Sequence, residues 1–288
     1  MKVSVLINNY NYGKFIGYAI RSVLKQKYKD LEIIVYDDGS TDDSLDVLKS
    51  FGNDIVLISE DNYGGKPSVN QANAIERAFS VSSGEIVFLL DSDDVFLENK
   101  INKVVSVFKE ELEVVCVQHT FKLINEKGEG LKERKRPILS GVNLPEAMFF
   151  TGSFGYFFSQ TSSLAFRRSF LEGFLPFDKA NFLMQWPDIR LTRNAMYCGD
   201  VKTLQLDLGG YRVHGSNDSD KLKNKEYLRR FIEEHTLYLN SLSKKYINKK
   251  FKYKGRFTSV FLIFLLNLVS KKSIINKIKF YKNFLIRR

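Results

Sequence analysis

Short, unbroken apolar runs alternate through the first 120 residues with longer stretches whose apolar positions recur every three or four residues. The runs at Val3 to Ile7, Leu31 to Tyr36, Ile55 to Ser59, Ile86 to Asp91 and Val114 to His119 are rich in β-branched and large apolar side chains. They predict strands buried on both faces. Helical spacing recurs at Lys14 to Gln26, where Phe15, Ala19, Ile20, Val23 and Leu24 share a face, and at Asp43 to Phe51 and Ser68 to Val81. Strand and helix alternating through short connections predict an α/β fold with a mostly parallel sheet flanked by helices.

Polar residues punctuate the predicted strands at one end. The first closes in Asn8-Asn9-Tyr10-Asn11, the second in Asp37-Asp38-Gly39-Ser40-Thr41-Asp42, the fourth in Asp91-Ser92-Asp93-Asp94. In a parallel sheet these ends share an edge, and ligands of open α/β sheets bind outside the carboxyl ends of the strands. Crowded carboxylates repel one another unless a cation lies between them, and hard oxygen ligands suit Mg2+ or Mn2+. Each motif alone also has a plainer reading. An Asp-x-Asp suits a loop that caps the next helix, and Gly39 with Thr41 or Asp42 suits a turn and a helix cap.

Composition narrows the class. A hydrophobic share of 44%, with 24 Phe and 14 Tyr in 288 residues, excludes overall disorder and is enough for one large α/β domain with a modest appendage. Cys116 and Cys198 are the only cysteines and lack metal-ligand spacing, so no disulfide framework or zinc site is expected, and a reducing cytosol fits. The apolar start meets Asn8 and Asn9 too early for a signal-peptide core and is expected to be a strand. The net charge of +11 is unevenly placed. Residues 221 to 288 hold 19 Lys and Arg against three Glu, a net +16, which leaves 25 bases and 30 acids, a net −5, before them. A boundary near 218 follows, and the tail is expected to meet an anionic surface.

In order and spacing, four segments resemble the family 2 glycosyltransferases: Ser4 to Asn11, Glu32 to Asp42, Asn62-Tyr63-Gly64-Gly65 with Asn73, and Gly84 to Asp94. The resemblance covers residues 1 to 218 and implies the Rossmann-like GT-A fold, with 219 to 288 as a basic helical tail. It implies a donor-binding set of Asn8, Tyr10, Asp37, Asp38, Lys66, Asn73 and Ser92, with Asn8 and Asp38 at the nucleobase. It also implies that Asp91, Asp93, Asp94 and His214 serve a Mn2+ or Mg2+ ion. Lys66, after two glycines, is placed to offset the donor diphosphate, although a solvated lysine is the plainer reading.

The segment Phe182 to Arg193 is similar to the family's acceptor side, where an acid begins a helix. That acid is Asp188, the candidate general base, with Pro187 where relatives carry Glu; by itself an Asp there could merely stabilise a first turn. Tyr211 to Asn217 resembles the closing motif of non-processive members, in which the histidine, here His214, approaches metal and diphosphate. No Gln-x-x-Arg-Trp follows Asp188, so a single addition is implied. The expected activity is inverting transfer of one sugar from a nucleotide-sugar, UDP-linked by family habit, to a hydroxyl acceptor. A lipid-linked glycan intermediate of cell-surface polysaccharide is the expected acceptor.

Two other classes stay open. A nucleotidyltransferase could share fold and carboxylates, yet no Gly-rich phosphate loop follows the first strand. A non-catalytic binder of nucleotide-sugars or membranes is the second. Specificity is expected between residues 120 and 185, with Gly152 to Phe158 and Gln160 at the acceptor cleft. In the tail, Phe257 to Ser270 is uncharged and flanked by Arg256, Lys271 and Lys272. As a helix it would reach about 21 Å, short of a hydrocarbon core of about 30 Å. It suits an interfacial helix on an anionic membrane, or else one packed on the domain. A cytoplasmic protein, peripheral on the inner face of the cell membrane, is expected. Nucleic acid is not an expected partner, since the basic residues border an apolar stretch instead of tracking a groove.

Overall fold

The computed structural model describes residues 1–134, 138–151, 157–215 and 217–246. Its first half runs β1 (Val3–Asn9), α1 (Gly13–Leu24), β2 (Leu31–Asp38), α2 (Ser44–Lys49), β3 (Val56–Glu60), α3 (Pro67–Val81), β4 (Ile86–Asp91), β5 (Val95–Phe96) and α4 (Lys100–Glu110). There follow β6 (Val114–Ile124), β7 (Gly130–Arg134), α5 (Leu144–Thr151), β8 (Ala165–Arg167), α6 (Arg168–Phe174), α7 (Pro187–Cys198), β9 (Asp200–Arg212) and α8 (Lys225–Tyr246). Each of the five strands and three helices expected from the apolar pattern is present, with ends shifted by a few residues. The exception is β6, which runs five residues beyond the expected His119.

The strand order is β3-β2-β1-β4-β8-β6-β9-β5, with β7 beside β6. The four strands from β3 to β4 are parallel. Beyond them the sheet is mixed, because β8 lies antiparallel to both β4 and β6, while β9 runs parallel to β6 through several register shifts. The expected parallel sheet flanked by helices is therefore unbroken from β3 to β4, and beyond it the parallel pair β6–β9 is joined by antiparallel ones. The strands that change it carry no unbroken apolar run: β8 is three residues long and the first half of β9 is largely exposed.

Successive strand residues face opposite sides, and both sides are covered. Val5, Ile7, Val35, Phe88 and Leu90 pack with Ile16 and Ile20 of α1 and Ile101, Val104 and Phe108 of α4. Leu6, Ile34, Val87 and Leu89 pack with Ala72 and Ile75 of α3 and Leu191 and Ala195 of α7. Full burial of a side chain such as Ile16 or Ile20 contributes about 2 kcal/mol. Burial on both faces is why these strands read as unbroken apolar runs.

Register sets the edge where chemistry can occur. Asn9 lies opposite Asp37 on β2, and Asn8 opposite Asp91 on β4. Farther along, α8 packs Phe231, Tyr238, Leu239 and Leu242 inward. It is fixed by the Asn194 amide donating to the Tyr238 hydroxyl (2.8 Å) and by His235 Nδ1 donating to Gln185 Oε1 (2.5 Å). The expected helix at Phe257 to Ser270 lies outside the described residues.

Candidate active site

Two carboxylates close β2, and each is held by a different loop. Asp37 is fully buried and accepts from Asn9 Nδ2 (2.7 Å), the Ser40 amide (2.9 Å) and the Ser40 hydroxyl (2.6 Å). The next residue on the strand faces the other way, and there Asp38 accepts from Asn62 Nδ2 (2.9 Å), the Tyr63 amide (3.0 Å) and Asn70 Nδ2 (2.9 Å). Burial raises the Asp38 carboxyl above its ordinary range against the pull of those donors. Gly39 makes the turn with φ +71°, and a Cβ there would lie 2.5 Å from the Asn62 amide nitrogen, so the turn and the Asn62 loop together require glycine. Asn11, itself at φ 56°, ties the end of β1 to this turn by accepting from the Thr41 amide at 2.7 Å.

The β4 carboxylates form the second cluster. Asp91 accepts from Gln71 Nε2 of α3 (2.8 Å) and from the Asn8 side chain, while its amide donates to Ser162 Oγ (3.0 Å). Burial first, then the charges of Asp93, Asp94 and Asp188, push its carboxyl well above the usual range. Asp93 Oδ2 lies 2.9 Å from His214 Nε2. That side chain is 3% exposed and packs near the rings of Tyr12 (5.7 Å) and Phe15 (5.3 Å). Asp94 turns inward, 1% exposed, and accepts from the Arg212 amide at 2.8 Å. Ser92, 3% exposed, is buried in the same turn.

Basic groups brace this turn from behind. The Arg212 guanidinium donates to the carbonyls of Asp93 (2.7 Å), Asn125 (3.0 Å) and Glu126 (2.7 Å), and lies 4.9 Å from the centre of the Phe15 ring. Lys100 is wholly buried, donates to the Ser162 carbonyl (2.6 Å) and lies 3.5 Å from the Phe96 ring centre. Burial pulls its ammonium well below the ordinary lysine range, and Asp94 opposes that pull. Gln71, Lys100, Ser162 and Arg212 were not among the residues expected from the sequence. The signal for Lys100 was a base beside an apolar element, and for Arg212 its place in the Tyr211 to Asn217 segment; Gln71 and Ser162 gave none.

The other expected residues are dispersed around this centre. Asp188 occupies the first turn of α7 behind Pro187, accepts from the Ile189 amide (2.8 Å), and is near enough to act electrostatically on both Asp91 and the buried Arg193. Tyr10 is 46% exposed on the loop after β1. Asn73 faces away from the carboxylates: its amide donates to the Tyr36 hydroxyl (3.1 Å), and its oxygen accepts from Lys179 (3.0 Å). Lys66 is exposed at the start of α3. Of the expected acceptor residues, Phe157 is fully buried against Leu139 and Met148, Phe158 lies against Arg193 (4.0 Å), and 152–156 lie outside the described residues.

Among the described residues no three His, Cys, Asp or Glu side chains converge to hold a metal ion. Asp91, Asp93, Asp94 and His214 therefore do not form a four-ligand cage. The donor chemistry nevertheless fits a hard divalent cation. Asp91 and Asp93 present carboxylate oxygens, and the adjacent buried Gln71 Oε1 has no hydrogen-bond partner among the described residues. Mg2+ characteristically takes one or two carboxylates and fills its shell with water and substrate phosphate oxygens.

Comparisons with known proteins bear on the family and the fold. The family model described as Glycosyl transferase family 2 matches residues 4–174. An uncharacterised glycosyltransferase of Nostoc sp. is 37% identical over 224 residues, 76% of this chain and 66% of that protein. The GalNAc(5)-diNAcBac-PP-undecaprenol beta-1,3-glucosyltransferase of Campylobacter jejuni is 36% identical over 104 residues, 35% of this chain and 32% of that protein. The chain thus spans under two thirds of the length of these relatives. The crystal structure of S. aureus TarS 1-349 in complex with UDP-GlcNAc superposes with a TM-score of 0.55 at 19% identity, covering 86% of this chain and 76% of that one. At that identity the likeness bears on fold alone, and it agrees with the expected GT-A architecture.

Proposed function

The chain belongs to glycosyl transferase family 2, and on that premise we propose that it transfers a single sugar from a nucleotide-sugar to an acceptor hydroxyl, inverting the anomeric configuration. The proposed transferring unit is residues 1 to 218, with α8 of the basic region packed on it. The observation that carries the reading is the gathering of Asn8, Gln71 and Ser162 on Asp91 at the carboxyl edge of the parallel strands, with Asp188 at the start of α7 within electrostatic reach. A base within electrostatic reach of a cation-binding carboxylate suits direct displacement.

The donor lies along this edge, its nucleobase toward Asn8, Tyr10 and the Asp37–Asp38 loop. Asp91 and Asp93 would hold Mn2+ or Mg2+, whose charge would offset the charge developing on the departing nucleoside diphosphate. His214 orients Asp93, while Arg212 and Lys100 keep the turn in shape through Asp94 and Ser162. Asp188 accepts the proton of the acceptor hydroxyl as that oxygen attacks the anomeric carbon from the face opposite the leaving group. The diphosphate-lipid acceptor in the name of the Campylobacter relative supports a lipid-linked glycan here. A cytoplasmic site of action, peripheral to the membrane, suits such an acceptor and the basic tail; no described helix is long and apolar enough to cross a membrane.

Thermal melting against nucleoside diphosphates and nucleotide-sugars, with and without Mn2+, tests the reading. One nucleotide should raise the wild-type Tm only with Mn2+, and Asp93→Ala should lose that rise. No rise with any nucleotide would overturn the donor assignment.

A further inference from the structure

A cleft of about 370 Å3 opens between the start of α3, the loop leading into α7, and α8 with the turn before it. Lys66, Lys221 and Arg230 line it together with Trp186, Tyr227 and Met184. A hollow of about 350 Å3 shares Lys221, Tyr227 and Arg230 and extends it along α8. The side chains of Lys66 and Arg230 make no ion pair or hydrogen bond among the described residues. The one carboxylate that lines the hollow, Glu226, is bound to Arg229 at 2.8 Å and also attracts Arg230 through space. Gathered like charges repel, and an anion between them relieves that repulsion.

Position ties this cleft to the reaction centre. Ser68 at the start of α3 donates its hydroxyl proton to the Leu183 carbonyl, joining two of the cleft's walls. Pro67 and Gln71, four apart on α3, share a helix face, and Gln71 reaches Asp91. Trp186 stands two residues before Asp188. The cleft is therefore joined to the centre through α3 and through the lead-in to α7, and the flat faces of Trp186 and Tyr227 offer contact to an apolar chain or a sugar ring. The positive ends of α3 and α7, whose first turns border the cleft, favour negative charge there as well.

We propose that this cleft is an acceptor subsite that takes the phosphate or diphosphate of an anionic acceptor, with Trp186 and Tyr227 against the adjoining apolar or sugar part. The assignment rests on the transferase reading above. It places Lys66 with the acceptor, where the sequence resemblance implied the donor diphosphate. Phosphate oxygens could come from a prenyl diphosphate, from free pyrophosphate or from the donor itself, and the probes separate these.

Trp186 is the only tryptophan of the chain, so its fluorescence reports on the cleft directly. Farnesyl diphosphate, inorganic pyrophosphate and UDP with Mn2+ are titrated into the full chain and into the double variant Lys221→Gln/Arg230→Gln. The wild type should show saturable quenching by farnesyl diphosphate, tighter than by pyrophosphate. The double variant should weaken farnesyl diphosphate binding at least about tenfold through loss of charge-assisted contacts. Its calorimetric affinity for UDP with Mn2+ should stay within about twofold of wild type, since a cleft apart from the donor site does not touch it. Lys221→Arg/Arg230→Lys should restore most of the farnesyl diphosphate affinity, which a folding defect would not allow. Unchanged farnesyl diphosphate binding in the glutamine variant would overturn the proposal, as would a parallel loss of UDP, which would assign the cations to the donor. Charge-dependent farnesyl diphosphate binding by a wild type that ignores UDP would overturn the acceptor role together with the transferase reading.

Discussion

At the scale of single residues, the centre is a balance between crowded acids and the groups that hold them. Asp37, Asp38 and Asp94 are all nearly fully buried, and each is stabilised by donors that also fasten a loop. Asp91 differs: burial and three neighbouring carboxylates make its charge costly, which suits a residue whose partner arrives from outside. Asp188 is the proposed base, and Asp188→Asn keeps its shape while removing its basicity. Turnover should fall by about 10²- to 10⁴-fold, with the donor dissociation constant unchanged within about twofold. Steady-state kinetics beside calorimetric donor titration checks this; an equal loss of donor binding would move Asp188 into the donor site.

At the scale of elements, the parallel strands are joined at their amino ends by one carboxylate. Glu32 on β2 accepts from the Ser4 hydroxyl of β1 (2.6 Å) and from the Ser83 amide ahead of β4 (2.6 Å), and pairs with Lys2 at 2.7 Å. Burial opposes its charge, but these donors outweigh burial and hold the carboxyl down at about 2, against an ordinary value of 4.5. A folded-state value below the unfolded one gives stability that is complete above about pH 4.5 and lost as the pH falls toward about 2. Glu32→Gln should cost about 1 to 2 kcal/mol at pH 7, after allowance for partial exposure, and much less at pH 3. Urea unfolding at both pH values measures this, and an equal cost at each would remove the ionic role. The neighbouring elements show why pattern alone reached only part of the fold. The runs in β1, β2 and β4 are legible because both faces are buried. The two-residue β5, the three-residue β8 and the half-exposed β9 are placed by partners far along the chain and carry no such period.

At the scale of the whole molecule, charge is segregated: a net −5 over the first 220 residues and +16 over the rest. Polybasic segments bind anionic membrane surfaces with about 1 kcal/mol per base near the surface, and salt screens the attraction. The full chain should therefore co-sediment with vesicles rich in phosphatidylglycerol at low salt, be released as salt approaches about 0.5 M, and ignore neutral phosphatidylcholine vesicles. Equal binding to both lipids would remove the electrostatic role of the tail. The described part of that basic region, α8, is anchored on the domain through Tyr238, His235 and Leu239 and supplies Tyr227 and Arg230 to the cleft. Its beginning is therefore part of the architecture around the site.

By itself the sequence determined the α/β class, the polar ends of β1, β2 and β4, and the acid at the head of α7. These are local properties: apolar runs report burial on both faces, and turn and cap residues report chain direction. Only the tertiary structure decided how the acids divide their work. It turned Asp94 inward onto the Arg212 amide, joined Asp93 to His214, directed Asn73 away toward Tyr36, and brought Asp188 and Gln71 to Asp91. Those outcomes depend on the face from which each side chain leaves its strand or helix, and on contacts between segments remote in sequence, which no local pattern encodes.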